Sequence, residues 1–185
     1  MTNNLPDNEV FIDEDFETVW DRTVKSLSKD FFVINNIEKD SRLINVSFSS
    51  QTPEDYVDCG RSLRTFKNLR GEQTFFYYTA ENTEYAQTLT NGIAVNTRRR
   101  SSLDGRGNIY IAPENNGTTV TANFRYNVSV KLSGTTFDGR PVSPQDFVWS
   151  FNSKDVFRDS NPEGDLYCVA RGVLEGRVLD AAKGL

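Results

Sequence analysis

The chain has 185 residues, enough for one domain or at most two small ones, with a net charge of −5, 25% charged and 37% hydrophobic residues. Its 13 Phe, 7 Tyr and 2 Trp supply the large side chains a core needs, which excludes disorder throughout, and no apolar run approaches the roughly 18 residues that cross a bilayer. Histidine is absent, which excludes Ser-His-Asp and Cys-His catalysis and every His-ligated metal site.

Residues 1–12 are expected to be a polar, flexible tether, and residues 13–185 a single α+β domain. The start, Met1-Thr2-Asn3-Asn4-Leu5-Pro6-Asp7-Asn8, has no apolar stretch of the signal-peptide kind. The chain is therefore either cytosolic with a frayed terminus, or exported and written without its signal sequence. A polar tether is what a mature lipoprotein presents beyond its acylated cysteine. Residues 14–29 predict an amphipathic helix. Phe16, Val19, Trp20, Thr23, Val24 and Leu27 share one face, with Asp13 as the expected N-cap.

Two β-rich runs follow, 31–37 and 42–49, around the polar turn Glu38-Lys39-Asp40-Ser41. Ile44, Val46 and Phe48 alternate with Asn45, Ser47 and Ser49, so one face is buried and one wet. Residues 50–72 read as a connection. Arg61, Arg64, Lys67 and Arg70 recur there every third residue, a spacing that would align them on a helical turn, but a solvated loop is the expectation. Residues 73–80 predict a strand, 84–97 a strand broken at Asn91-Gly92, and 98–106 a polar loop.

Asn108 to Ala112, a turn at 113–117 and a long strand from Thr118 to Leu132 come next. In the long strand Val120, Ala122, Phe124, Tyr126, Val128, Val130 and Leu132 alternate with polar residues without a break. So long a strand implies a strongly curved antiparallel sheet with helices in its concavity. A loop beyond Gly134 leads to a short strand, Phe147 to Phe151. Residues 155–164 are polar and turn-rich, and 165–183 predict a second helix. The expected fold class is α+β, a strongly curved antiparallel sheet packed on an N-terminal and a C-terminal helix.

Glu14-Asp15-Phe16-Glu17-Thr18-Val19-Trp20, then Phe31-Phe32-Val33-Ile34 and Asp40-Ser41-Arg42-Leu43-Ile44-Asn45-Val46-Ser47-Phe48, carry a resemblance. The segment resembles the helix-grip domains of periplasmic lipoproteins, such as the lipoprotein C subunit of the outer-membrane β-barrel assembly machinery. It covers about 35 residues by hydrophobic patterning. The resemblance implies a periplasmic or outer-membrane-anchored envelope protein that contacts other proteins, and it carries over no catalytic residue.

Cys59 and Cys168 are the only cysteines. A disulfide between them, two buried small groups, or one reactive thiol beside Arg61 are the three readings these residues allow. Asn, Ser and Thr number 48, a compositional hint of export. Charge is uneven: residues 1–60 hold 5 basic and 13 acidic groups, and residues 61–110 hold 8 and 4. Arg98, Arg99, Arg100 and Arg106, with Arg61 and Arg64, are the candidate partner-binding cations. The acidic net charge argues against nucleic acid, and a protein partner or anionic headgroups fit better. Trp20, Phe75, Tyr77, Phe124, Tyr126 and Trp149 are the alternative, lining a small-molecule cavity between sheet and helix. No carboxylate pair, phosphate loop or metal motif stands out, so no catalytic residue, metal or cofactor is assigned. The functional expectation is a non-catalytic, lipid-anchored envelope domain that binds a protein partner; the alternative is a small apolar-ligand-binding protein.

Overall fold

The computed structural model describes residues 5–161 and 164–185. The elements in chain order are β1 (Glu9–Ile12), α1 (Phe16–Leu27), β2 (Val33–Glu38), β3 (Leu43–Ser50), a 3-10 turn (Pro53–Asp55), β4 (Val57–Asp58), β5 (Arg61–Asn68) and β6 (Gly71–Tyr78). They continue with β7 (Thr83–Thr88), β8 (Ala94–Glu114), β9 (Gly117–Thr136), β10 (Pro141–Asn152), β11 (Phe157–Asn161), β12 (Gly164–Ala170) and α2 (Val173–Lys183). The class is α+β, mostly antiparallel sheet with two helices.

One long hairpin organises the main sheet. β8 and β9 pair from Glu114↔Gly117 at the turn to Val95↔Thr136 at the far end. Asn115 takes φ 49° in that turn, a left-handed conformation that asparagine tolerates. β1 and β10 share the outer edge of β9, one nearer the turn and one farther along. β3 and β7 divide the outer edge of β8 in the same way, and β2 lies beyond β3. β5 pairs with β6 in a separate hairpin, and β4, β12 and β11 make a third small sheet.

The helices cover the turn-proximal half of the sheet. Val19, Trp20, Thr23 and Leu27 of α1 and Leu174, Val178 and Ala182 of α2 are buried. The apolar ones join one cluster with Ile44, Val46, Leu103, Ile109, Ile111, Val120, Phe124 and Tyr126. Arg22 ties the helices together, donating from Nε to the Ala182 carbonyl at 2.8 Å while its Nη atoms clasp Glu14. The other half of the inner face is covered by the β5–β6 hairpin, where Tyr77 stacks on Tyr85 of β7 at 5.1 Å.

Several expectations are corrected. Residues 9–12 of the expected tether are β1, and Asn8 is buried, donating to Asn123 Oδ1 at 2.8 Å; residues 1–4 lie outside the described residues. The N-cap of α1 is Asp15, whose carboxylate accepts from the Thr18 N–H at 3.1 Å, and not Asp13. Residues 61–68, expected as part of a loop, form a strand that pairs with β6, the strand expected at 73–80, because the three-residue recurrence of cations overlies a strand. Residues 98–106 belong to the uninterrupted strand β8, and the expected loop after Gly134 is divided among the end of β9, a turn at 137–140 and the start of β10.

The second helix begins at Val173. Leu166, Val169 and Ala170 fit a helical stripe, yet this segment is β12, paired with β11 and β4, and Gly172 at φ 79° separates it from α2. The expected turn-rich stretch 155–164 contains β11; residues 162–163 lie outside the described residues.

Cys59, next to β4, is bonded to Cys168 of β12. The register Val169↔Asp58 brings the two cysteines together across the ladder. Arg171 closes the same corner, with Nε donating to the carbonyls of Glu54 and Val57 at 2.9 and 3.1 Å.

Candidate functional site

A strand sends successive side chains to opposite faces, so the run Arg98-Arg99-Arg100 splits. Arg98, Arg100 and Arg106 stand on the solvent face of β8, while Arg99 is buried at 5% exposure. The Asn115-Asn116 turn fixes the register of the hairpin, and that register places like charges opposite each other. Arg106 faces Arg125, and Arg100 faces Lys131. Like charges in such positions repel across the ladder.

The cations differ in how they are compensated. Arg98 and Arg100 both hold Glu84, at 2.8 and 2.9 Å, and these two hydrogen bonds, Arg100's first, keep the Glu84 carboxyl below its usual range. Arg61 lies over the Tyr78 ring, 5.0 Å from its centroid, and Lys67 pairs with Glu72. Arg64 donates to the Leu63 carbonyl. Arg106, Arg125 and Lys131 form no ion pair within 4.0 Å among the described residues, and Lys131 stands opposite Asp146 of β10. Arg125 also lines a shallow open depression of about 450 Å³, together with Ser150, Asn152, Asp155 and Arg158.

The six expected partner-binding arginines therefore do not form one patch. Arg106 stays available on the solvent face, Arg98 and Arg100 share a carboxylate, Arg99 points inward, and Arg61 and Arg64 sit on a separate hairpin. Sequence reading missed Arg125, Lys131 and Arg158. The first two were legible on the polar face of the long strand, but their neighbours are set by a register that requires β8 to be recognised.

The expected cavity residues also divide. Trp20, Phe124 and Tyr126 lie in the helix-covered core, at 4%, 1% and 0% exposure. Tyr126 donates to Glu175, whose two carboxylate oxygens both lie 2.8 Å from its hydroxyl, and burial beside that carboxylate pushes the tyrosine pKa up. Phe75 lines an open groove of about 620 Å³ with Tyr85, Ala86, Thr97 and Gly134. Tyr77 and Trp149 flank the Arg99 guanidinium, whose Cζ is 5.8 and 5.7 Å from their ring centroids. Burial pushes the Arg99 pKa down, and burial together with Tyr77 pushes that of Tyr85 up.

The arrangement suits binding of negative charge on the solvent face of β8 and β9. Among the described residues no cluster of His, Cys, Asp or Glu is placed to hold a metal ion, and no helix is long and apolar enough to cross a membrane. Comparisons with family models, with curated proteins and with solved structures give no match to this chain.

Proposed function

We propose that this chain is a non-catalytic, exported interaction domain that docks an acidic protein partner on the solvent face of β8 and β9. The observation that carries the reading is the pair of like-charge contacts, Arg106 opposite Arg125 and Arg100 opposite Lys131. Arg106, Arg125 and Lys131 form no ion pair within 4.0 Å among the described residues, although Lys131 stands opposite Asp146 across the β9–β10 ladder, on a chain whose net charge is −5. A carboxylate-rich partner relieves that repulsion, and electrostatic complementarity of this kind raises association rates and selects partners.

The disulfide supports an oxidising compartment. Within such compartments, the cell envelope and a lipid anchor belong to the proposal, on the strength of the helix-grip resemblance. The same holds for a strongly curved sheet. Strands of 21 and 20 residues would run about 65–70 Å if straight, well beyond the roughly 40 Å width of a domain this size.

The test is a photo-crosslinking residue placed at Ser129, on the cationic face, and separately at Lys29, in cells that make the protein. An adduct at position 129 that is absent at position 29, contains an acidic protein and disappears in Arg106→Glu/Arg125→Glu supports the reading. An adduct insensitive to the double reversal contradicts it.

A further inference from the structure

Arg99 is a guanidinium without a counter-ion. It is 5% exposed, its Nη2 donates to the Thr79 carbonyl, and no carboxylate among the described residues lies within ion-pair distance. A buried charge is stable only when it is paired and its hydrogen-bonding capacity is filled. Stacking against Tyr77 and Trp149 compensates in part. Two polar atoms there remain buried and without a partner, Arg99 Nε and the Tyr77 hydroxyl. Both can donate, one from β8 and one from β6. What the site lacks is an acceptor, and beside a guanidinium the favoured acceptor is an anionic oxygen.

The buried pair adjoins the open groove. Tyr85, a wall of the groove, stacks on Tyr77 at 5.1 Å. Thr97, paired with Tyr85 across the ladder, precedes Arg99 by two residues on the same buried face. Phe75 stands two residues before Tyr77 on β6 and supplies an apolar wall. The groove thus offers aromatic surface beside a charged site that wants one anionic group.

We propose that Arg99 and Tyr77 anchor the carboxylate of a small organic acid whose flat apolar body lies in the groove against Phe75 and Tyr85. Arg99 points to the opposite side of β8 from Arg98 and Arg100, while Arg98 and the Glu84 it pairs with also line the groove. The β5–β6 hairpin covers it as a separate two-stranded sheet, tied to β7 where the Lys67 N–H donates to Thr88 Oγ1 at 2.9 Å. Displacement of that hairpin is the route of entry.

The test uses naphthalene-1-carboxylate and its neutral isostere naphthalene-1-carboxamide, with binding measured by calorimetry and the Arg99 Nε–H followed by ¹⁵N NMR. The acid is expected to bind at least tenfold more tightly than the amide and to shift the Arg99 Nε–H resonance. Arg99→Met, which removes the charge while keeping an apolar stem, is expected to abolish that preference. If Arg99→Met does not fold, Tyr77→Phe removes only the hydroxyl and is expected to weaken the acid several-fold with the amide unchanged. Equal binding of acid and amide, no binding of either, or an acid affinity unmoved by these variants overturns the proposal. An Arg99 Nε–H held only by water, with no response to the acid, does so as well.

Discussion

Tyr126 and Glu175 show how one side chain constrains another in the core. Both are fully buried, and the phenol donates to the carboxylate, with both oxygens in reach. Tyr126→Phe removes that donor and leaves the carboxyl facing an apolar ring. It is expected to lower the unfolding free energy by about 1–3 kcal/mol, the cost of stranding a buried polar group, as read by urea denaturation. Tyr126 and Tyr85 also set an alkaline limit. Both phenols have pKa values raised in the folded state, so their stabilising effect is full below the ordinary tyrosine value of 10.0 and is lost as pH rises above it. Stability is expected to fall above about pH 10, with a shallower fall in Tyr126→Phe, measured by denaturation at stepped pH. Gly107 makes a different demand: a Cβ there would lie 2.5 Å from Phe124 Cε1 and 2.9 Å from Val46 Cγ2. Gly107→Ala is expected to cost about 1–3 kcal/mol through overpacking, while Gly105→Ala, with its nearest contact at 3.3 Å, costs less.

Pairing between β8 and β9 couples stability to function at the level of elements. Arg106→Glu turns a repulsive cross-strand pair with Arg125 into an attractive one. It is expected to raise stability by about 0.2–1 kcal/mol in thermal melts while weakening partner binding. A loss of both together would mean that Arg106 supports the fold and not a surface contact. Why the middle of β8 was read as a loop, with strand only at its two ends, is clear from its inward residues. Thr97, Arg99, Ser101, Gly105 and Gly107 occupy the buried face, so the alternation there is steric and not hydrophobic. α1, β3 and β9 were legible because apolar residues mark most of their buried faces. The start of α2 was misplaced because Leu166 to Ala170 satisfies both periods, and pairing with β4 decides between them. The candidate site was half legible for the same reason. Arg106 could be named from sequence, but its partner across the ladder could not.

The disulfide ties the whole chain together. It joins the corner after β4 to β12 across 109 residues of sequence, enclosing the long hairpin and the β5–β6 hairpin in one loop. In the chain-entropy account such a loop contributes about 4–5 kcal/mol by restricting the unfolded state. Cys59→Ser/Cys168→Ser is expected to lose up to that amount in denaturant titrations of oxidised protein, and wild type in reductant should behave likewise. The molecule then has two separable faces, a cationic solvent face on β8 and β9 and a buried arginine under the β5–β6 hairpin. Partner docking belongs to the first. Its most direct measurement is the affinity of the partner cross-linked at position 129, for wild type and Arg106→Glu/Arg125→Glu, at low and high salt. The account predicts at least a tenfold loss on double reversal at low salt, with unchanged melting behaviour and a difference that shrinks as salt rises. Equal affinities for the two proteins, or a difference that salt does not touch, would contradict it.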